Sequence, residues 1–320
     1  MQAQIMIQHG GRGFLPAVRE GAVLTLERCG MPGKLEFTAV QADGMEIAEG
    51  DQVKLTVDGQ TMFYGFLFTK KQRAGSPEIE AVAYDQLRYL KNKDTFIAEG
   101  ITASGMVRRL AEDFKLSLGE IGDTGYVFEA VVEENQTLLD MIQNALDETL
   151  AQTGQMFVLY DEGGFLTLRN TNDMRLNLLI DAESGESFDY ESSIDKNTYN
   201  QIKLAYLNDR IGKQESYLAK DAQKISEWGV LQYFEPVKSM VGAAEKAQAL
   251  LKLYDQKTRR LTIRNAFGDT RVRAGSTVMV SLELQDMQWN SYLMVEKVAH
   301  RFGGGVHLMD LSLVGGGFIA

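Results

Sequence analysis

Residues 48–57 read Ala48-Glu49-Gly50-Asp51-Gln52-Val53-Lys54-Leu55-Thr56-Val57, and residues 273–282 read Arg273-Ala274-Gly275-Ser276-Thr277-Val278-Met279-Val280-Ser281-Leu282. In both stretches a glycine and a short polar residue precede a run of alternating apolar and polar side chains, which is typical of a half-buried strand. A second strand follows each run, over 63–67 and over 291–295. The pattern predicts either a duplicated β-barrel or two barrels that merely share common hairpin chemistry.

The turns near the first stretch indicate a region rich in strands. Asp58-Gly59, directly after Val57, is the strongest short-range signal for a two-residue hairpin, because that turn needs positive φ at both positions. A new strand begins at Met62, and another alternating run occupies 79–84. Short strands separated by glycine turns are typical of a small barrel or sandwich. We therefore predict a first β-barrel domain over residues 1–92.

The middle of the chain changes to a helical period. Apolar residues recur at helical spacing over 104–116 and 137–153, Thr137 resembles an N-cap residue, and Gly154 stands where a helix usually ends. A hairpin follows, with strands at 156–160 and 165–169. These elements predict an inserted α+β domain over residues 93–185.

Strands return after about residue 187. We expect one of them at 199–206, one long helix near 241–257, and both tryptophans, Trp228 and Trp289, packed within strands. Residues 186–320 are therefore predicted to form a second β-barrel domain. The fold class is α+β, mainly β: two tube-like β-barrel domains with an inserted α+β domain and one long helix in the second β region.

Composition excludes several classes of protein. The 320 residues carry 33 basic and 44 acidic side chains, a net charge of −11, so we expect no specific nucleic-acid binding, which usually needs a basic stripe. No apolar run approaches the ~20 residues that span a bilayer, and the first residues lack a signal-peptide pattern, so we expect neither membrane insertion nor secretion. The single cysteine, Cys29, forms no intramolecular disulfide and suits a reducing cytoplasm.

Four segments carry a resemblance to a known family. They are Tyr84-Asp85-Gln86-Leu87-Arg88-Tyr89-Leu90, Gly154-Gln155-Met156-Phe157-Val158-Leu159-Tyr160-Asp161, Tyr199-Asn200-Gln201-Ile202-Lys203-Leu204 and Trp228-Gly229-Val230-Leu231-Gln232. In this order the chain, from about residue 20 to 315, resembles the XkdQ/YqbQ-type proteins of phage-like tail clusters. More distantly it is similar to late control protein D and to other baseplate hubs of contractile tails.

The resemblance implies a structural, non-enzymatic role. It implies a homotrimeric hub that joins the sixfold tail tube to the threefold central spike, with the tail tube protein and the central spike protein as partners. Other baseplate or tape-measure proteins are further candidate partners. The implied location is the baseplate of a virion or of a tail-like bacteriocin particle, assembled in the host bacterial cytoplasm. A duplicated barrel suits this role, because three copies then present six similar units in a ring.

A search for catalytic, cofactor and metal sites gives none. The three histidines are His9, His300 and His307; the last two flank a predicted hairpin, where a metal pair is possible but ordinary histidines are the better interpretation. No Gly-x-Ser-x-Gly, His-Glu-x-x-His or phosphate-loop pattern occurs, and the glycine runs 10–13 and 303–305 are interpreted as turns. The three-glycine tail at 315–317 is interpreted as a frayed terminus or a docking strand.

The alternative function is a tail-associated peptidoglycan hydrolase. Such an enzyme needs two carboxyl groups at a set separation, and Glu133-Glu134, Asp147-Glu148 and Asp161-Glu162 are available. Their settings, a loop, a polar helix face and a hairpin turn, predict solvated carboxylates rather than a buried general acid. A third reading, carbohydrate binding at a tail tip, needs exposed aromatic platforms.

Overall fold

The computed structural model describes residues 1–208, 213–237, 239–284 and 287–315. Most of the regular structure in these residues is strand, which confirms the predicted α+β, mainly β class. In the same ranges, no helix has the length and apolar character needed to cross a membrane. The three-glycine tail from Gly316 onward lies outside the described residues.

The N-terminal strands form a first β unit. They are β1 (Ala3–His9), β2 (Arg12–Phe14), β3 (Ala17–Val18), β4 (Ala22–Glu27), β5 (Lys34–Val40), β6 (Gln52–Val57), β7 (Gln60–Gln72) and β8 (Glu78–Tyr84). Antiparallel pairing runs β4-β5-β8-β7-β6-β1, and the inward side chains, such as Leu24, Leu35 and Leu55, share one core. Asp58 (φ 47°) and Gly59 (φ 84°) form the β6–β7 turn, as predicted.

An α+β insert follows a 3-10 turn at Gln86–Lys91. Its elements are β9 (Lys93–Thr102), α1 (Ala103–Asp113), β10 (Leu118–Ile121), β11 (Val127–Thr137), α2 (Leu138–Thr153), β12 (Phe157–Asp161) and β13 (Leu166–Asn170). Thr137 caps α2 by accepting from the backbone N–H of Asp140, and Gly154 ends the helix with a φ of 70°. The two helices pack with the β9–β11 ribbon and the β10-β13-β12 sheet around a separate core.

A second β unit is built from the C-terminal part of the chain. After a 3-10 turn at Thr171–Met174 come β14 (Arg175–Ile180), β15 (Ser187–Ser193), β16 (Gln201–Asn208), β17 (Lys213–Lys220), α3 (Ala222–Trp228), β18 (Gln232–Pro236), α4 (Ala243–Tyr254), β19 (Thr258–Phe267), β20 (Thr277–Leu284), β21 (Met287–Gly303) and β22 (Val306–Gly315). The unit pairs in the order β15-β19-β22-β21-β20, and β14 runs parallel to β20. We expected 175–180 in the insert, but this strand belongs to the second β unit's sheet.

A small α/β module interrupts the second β unit. The strand expected at 199–206 and the helix expected near 241–257 are present as β16 and α4, but they pack together in a β17-β16-β18 sheet with its own core. Trp228 ends helix α3 and is only half-buried, so our prediction of a strand there is wrong. Asp221 caps that helix by accepting from two backbone N–H groups, a local signal present in the sequence. Trp289 lies in β21, as expected.

The two β units repeat the same pairing order. The order β4-β5-β8-β7-β6 corresponds, strand for strand, to β15-β19-β22-β21-β20, and every one of these pairs is antiparallel. The edge strands differ, because β1 is antiparallel to β6 whereas β14 is parallel to β20. Strand β4 also pairs with β21, so one continuous sheet crosses from the first unit into the second.

Candidate functional site: the junction of the β units and the insert

The segment that leaves the first β unit is held by Asp85. Strand β8 ends at Tyr84, and the Asp85 carboxylate caps the following 3-10 turn by accepting from the backbone N–H of Leu87 (3.0 Å). Its other oxygen accepts from the Gly33 N–H (2.8 Å). A Cβ on Gly33 would lie 2.4 Å from that oxygen, so only glycine fits there. The cap therefore ties the turn to the start of β5.

Gln86 connects this turn to the insert. Its Nε2 lies within hydrogen-bonding distance of three acceptors, the Ser117 carbonyl (3.1 Å), the Asp161 carboxylate (2.9 Å) and the Gly164 carbonyl (2.8 Å). Its Oε1 accepts from the Ser117 N–H (3.0 Å). Both ends of a buried amide are thus satisfied by the insert, as a buried polar group requires.

Asp161 is buried at the same place, which corrects our expectation of a solvated turn. Its side chain accepts from Gln86 and from the Gly164 N–H (2.7 Å), and the residue is 8% exposed. Burial raises the pKa of Asp161. Burial, and then the charge of Asp161, raise the pKa of Asp85 as well. The neighbouring Glu162 does remain exposed, as predicted.

Arg273 brings the second β unit into contact with this cluster. It stands at the start of the turn before β20 and donates to the Asp161 carbonyl (2.8 Å). Its guanidinium carbon lies 3.8 Å from the ring centre of Tyr160, a cation–π contact. Its positive charge opposes the rise in pKa of Asp85 and Asp161. We call Asp85, Gln86, Asp161 and Arg273 the polar node; it joins both β units and the insert.

The polar node encloses little space. The cavity bordered by Asp85, Asp161 and Arg273 is about 20 Å³, enough for about one water molecule. Small-molecule sites are usually roughly 300–1,000 Å³. The buried carboxylates therefore act as hydrogen-bond acceptors between parts of the chain, and no sugar ring fits between them.

The other two carboxylate pairs lie on strand β11 and helix α2, two elements of the insert that contact each other. Glu133 and Glu134 lie in strand β11 and not in the loop that we predicted, and Glu133 accepts from Gln136 (2.7 Å). Asp147 and Glu148 are in helix α2, and Glu148 forms an ion pair with Lys246 (2.7 Å) that joins the insert to the small α/β module. Glu133 also accepts from the side-chain amide of Asn144 in α2 (3.3 Å), and none of the four acidic residues is fully buried.

His300 and His307 form a hydrogen-bonded pair, and Cys29 is partly buried. His300 Nε2 donates to the Val272 carbonyl (2.9 Å), so its Nδ1 accepts from His307 Nε2 (2.9 Å). Burial lowers the pKa of His300 to about 3. Burial raises the pKa of Cys29 to about 11. Within the described ranges, no group of three or more His, Cys, Asp or Glu side chains is placed to hold a metal ion.

The seam between the two β units is the other interface at this junction. Lys297 pairs with Glu27 (side chains 2.6 Å apart), and Arg28 forms an ion pair with Glu296 (2.7 Å). At the far end Phe302 of β21 is buried in the core of the first unit. Sequence reasoning identified the segments that carry Asp85, Gln86, Asp161 and Arg273, but nothing in their local pattern showed that they meet.

Two curated relatives match almost the whole chain. The phage-like element PBSX protein XkdQ of Bacillus subtilis (strain 168) is 30% identical over 314 residues, covering 94% of this chain and 94% of that protein. The protein YqbQ of the same organism is 29% identical, covering 94% of this chain and 93% of its own length.

Solved structures share the fold at low sequence identity. The 43 kDa tail protein of prophage MuSo2 from Shewanella oneidensis has a TM-score of 0.71 at 13% identity, covering 97% of this chain and 98% of that one. The tail protein from Neisseria meningitidis MC58 has a TM-score of 0.72 at 12% identity, covering 99% and 98%. A type VI secretion component, the E. coli c3393 protein, has a TM-score of 0.57 at 10% identity, covering 98% and 76%.

The family model described as YQBQ-like matches residues 23–314, a range that contains the polar node and the seam. The resemblance stated from the sequence is therefore confirmed, and the chain belongs to the YQBQ-like family.

Proposed function

We propose that this chain is a structural subunit of a phage-type tail, and that three copies form the hub of its baseplate. One observation carries the proposal: two β units with the same pairing order are joined by a continuous sheet within one chain. Three such chains present six similar units, which allows a ring to contact a sixfold tube on one face and a threefold spike on the other.

The names of the relatives support the same role. XkdQ is named as a protein of a phage-like element, and the proteins from Shewanella and Neisseria are named as tail proteins. The E. coli c3393 protein is described as similar to the T4 bacteriophage tail proteins gp27 and gp5. We infer that the tail tube and central spike proteins are the partners, in a particle assembled in the host cytoplasm.

In this proposal the three parts of the chain have different tasks. Residues 1–92 and 186–320, with strand β14 added to the second, supply the two ring units. The insert, predicted as 93–185, is held to both units by the polar node. Within the node, Gln86 and Arg273 bind Asp161 of the insert and so orient it. Such a fixed arrangement suits a protein that holds its partners in position rather than one that catalyses a reaction.

Measuring the mass of the assembled complex tests the proposal. The chain, co-expressed with its tube and spike proteins, should sediment in complexes that contain three times the 35.7 kDa chain mass. A chain that stays monomeric and joins neither partner would refute the hub role. Zymography tests the hydrolase alternative: cell-wall clearing by the purified protein that disappears when a single exposed acidic residue is neutralised, as in Glu162→Gln, would favour it over a purely structural role.

A further inference from the structure

The seam within the chain has a defined register. Strand β21 extends beyond the end of β20, and its last residues pair antiparallel with β4 of the first unit. Lys297 lies opposite Glu27, Ala299 opposite Thr25, and Arg301 opposite Val23. The C-terminal half of β21 is therefore an extension that attaches one β unit to the other.

Strand β7 is the counterpart of β21 in the first unit. The Gly50 N–H donates to the Leu67 carbonyl (2.7 Å), and the Gly275 N–H donates to the Val295 carbonyl (2.8 Å). Both glycines have a φ of 91°. A register shift follows at once in each strand, before Thr69 in β7 and before Lys297 in β21. Thr69 therefore corresponds to Lys297.

Strand β15 is the counterpart of β4 in the second unit. Leu24 of β4 lies opposite Leu35 of β5, and Tyr190 of β15 lies opposite Leu261 of β19. Leu35 and Leu67 both lie opposite Ala83 of β8. In the same way, Leu261 and Val295 both lie opposite Leu313 of β22. Counting along the strands, Ser193 corresponds to Glu27, Glu191 to Thr25 and Asp189 to Val23.

Among the described residues, each counterpart has one edge that pairs with no further strand. The extension of β7 from Thr69 to Gln72 pairs with β8 on one side, and on its other side the described residues place no strand. Strand β15 ends the path of the sheet, with β19 as its partner there. The four residues of the β7 extension are exposed. A free strand edge is a template for pairing with another chain.

We propose that the β7 extension of one copy pairs antiparallel with β15 of the next copy, as β21 pairs with β4 within the chain. The partner is a second copy of this chain, and this inference rests on the proposed ring. The corresponding register places Thr69 opposite Ser193, Lys71 opposite Glu191 and Arg73 opposite Asp189. The contact joins two different surfaces, so it closes into a ring when the rotation between copies is suitable.

Charge distinguishes this partner from an arbitrary one. The β7 extension carries Lys70 and Lys71 and is followed by Arg73, whereas the exposed face of β15 carries Asp189 and Glu191. Within one chain Lys71 already faces Glu80 of β8 (3.3 Å), and Glu191 lies opposite Arg260 of β19. Pairing would therefore complete a row of alternating charges, Glu80, Lys71, Glu191 and Arg260, across the contact.

The seam between copies is more polar than the seam within the chain. Val298, His300 and Phe302 are buried in the internal seam. Their counterparts at the end of β7 and just after it are Lys70, Gln72 and Ala74. A polar, charged edge keeps a folded single copy from aggregating before assembly. The same side chains, opposite an acidic strand, favour the correct neighbour.

A disulfide tests the register. Thr69→Cys and Ser193→Cys, combined in a Cys29→Ser background, should cross-link copies into covalent dimers and trimers that a reductant separates. Opposed antiparallel residues have Cα atoms about 4.5–5.5 Å apart, within disulfide range. The matched control is Thr69→Cys with Ser187→Cys, where the second cysteine lies roughly 20 Å further along the strand and should not cross-link. The proteins are oxidised after co-expression with the tube and spike proteins.

Charge reversal tests the energetics. Lys71→Glu with Arg73→Glu should reduce the trimer fraction at least about tenfold, because like charges then face each other at two positions per contact. Adding Asp189→Lys and Glu191→Lys to the same chain should restore part of the trimer, because like charges facing Glu80 and Arg260 remain within each chain. A normal trimer that shows no 69–193 cross-link overturns the strand pairing and leaves the ring intact, whereas absence of any wild-type trimer overturns the proposed function as well.

Discussion

The isosteric change Gln86→Glu probes the polar node most directly. The side chain keeps its shape, so packing is unchanged, but the Nε2 donor becomes an oxygen that faces the Ser117 carbonyl, the Gly164 carbonyl and the Asp161 carboxylate at 2.8–3.1 Å. The bond from the Ser117 N–H can persist, because the other oxygen still accepts. The variant therefore loses donors and gains a charge beside a buried carboxylate.

The expected cost follows from these contacts. A neutral hydrogen bond contributes about 1 kcal/mol and one to a charged group about 2 kcal/mol, and buried acceptors left unpaired add desolvation. We therefore expect the free energy of unfolding at pH 7.5 to fall by about 3–5 kcal/mol. Burial and the two neighbouring aspartates raise the folded-state pKa of the new carboxyl group above its unfolded value. The folded variant then binds more protons, so the loss shrinks as the pH is lowered from 7.5 to 5.

Urea unfolding at the two pH values, followed by circular dichroism, measures both effects. The matched control is Gln223→Glu on the exposed face of α3, where the same chemical change faces Glu227 and should cost no more than about 0.5 kcal/mol. If Gln86→Glu costs no more than this control at pH 7.5, the polar node does not hold the insert against the β units. A loss that is independent of pH would refute the role of the neighbouring carboxylates.

Three further predictions concern single residues. Gly33→Ala should lower the free energy of unfolding by about 1–3 kcal/mol, because its Cβ meets the Asp85 carboxylate at 2.4 Å, whereas Gly13→Ala, where the nearest atom is 3.6 Å away, should cost less than about 1 kcal/mol in the same urea titration. Cys29, with a pKa of about 11, should react with iodoacetamide at pH 8 roughly a hundredfold more slowly than an exposed cysteine, and a rate equal to that of glutathione would contradict its burial. The pKa of His300 is lowered to about 3, so its contribution to the free energy of unfolding is fully present above its unfolded pKa of ~6.5 and is lost as the pH falls toward 3. In His300→Gln the free energy of unfolding should therefore fall less steeply between pH 6.5 and 4. An unchanged slope would exclude His300 as the source of this pH dependence.

Local signals in the sequence were sufficient for the elements themselves. Asp58-Gly59 predicted the β6–β7 turn, Thr137 and Gly154 predicted the ends of α2, and the glycine runs at 10–11 and 304–305 are turns with positive φ. These features depend on φ preferences and on contacts between residues a few positions apart. The chain therefore determines them almost independently of the rest of the fold.

Which strand or sheet each of these elements packs against was decided by the tertiary structure. The sequence of strand β14 alternates like that of any half-buried strand. Only its pairing with β20 assigns it to the second β unit. Helix α4 has an apolar stripe that fits any sheet, and the fold packs it on a separate one. Periodicity shows that one face of a helix or strand is buried, but it does not show which other element covers that face.

The sequence by itself determined the mainly β class, the repeat at 48–57 and 273–282, the absence of recognisable catalytic motifs and the family. Only the tertiary structure decided that Asp161 is buried, because its partners Gln86 and Arg273 lie 75 and 112 positions away in the chain. It also decided that the repeated units share one sheet through β4 and β21, and hence which strand edges in the described part of the chain are left without a neighbouring strand. Burial and strand pairing are set by contacts between distant residues, and a sequence pattern of short range contains no record of them.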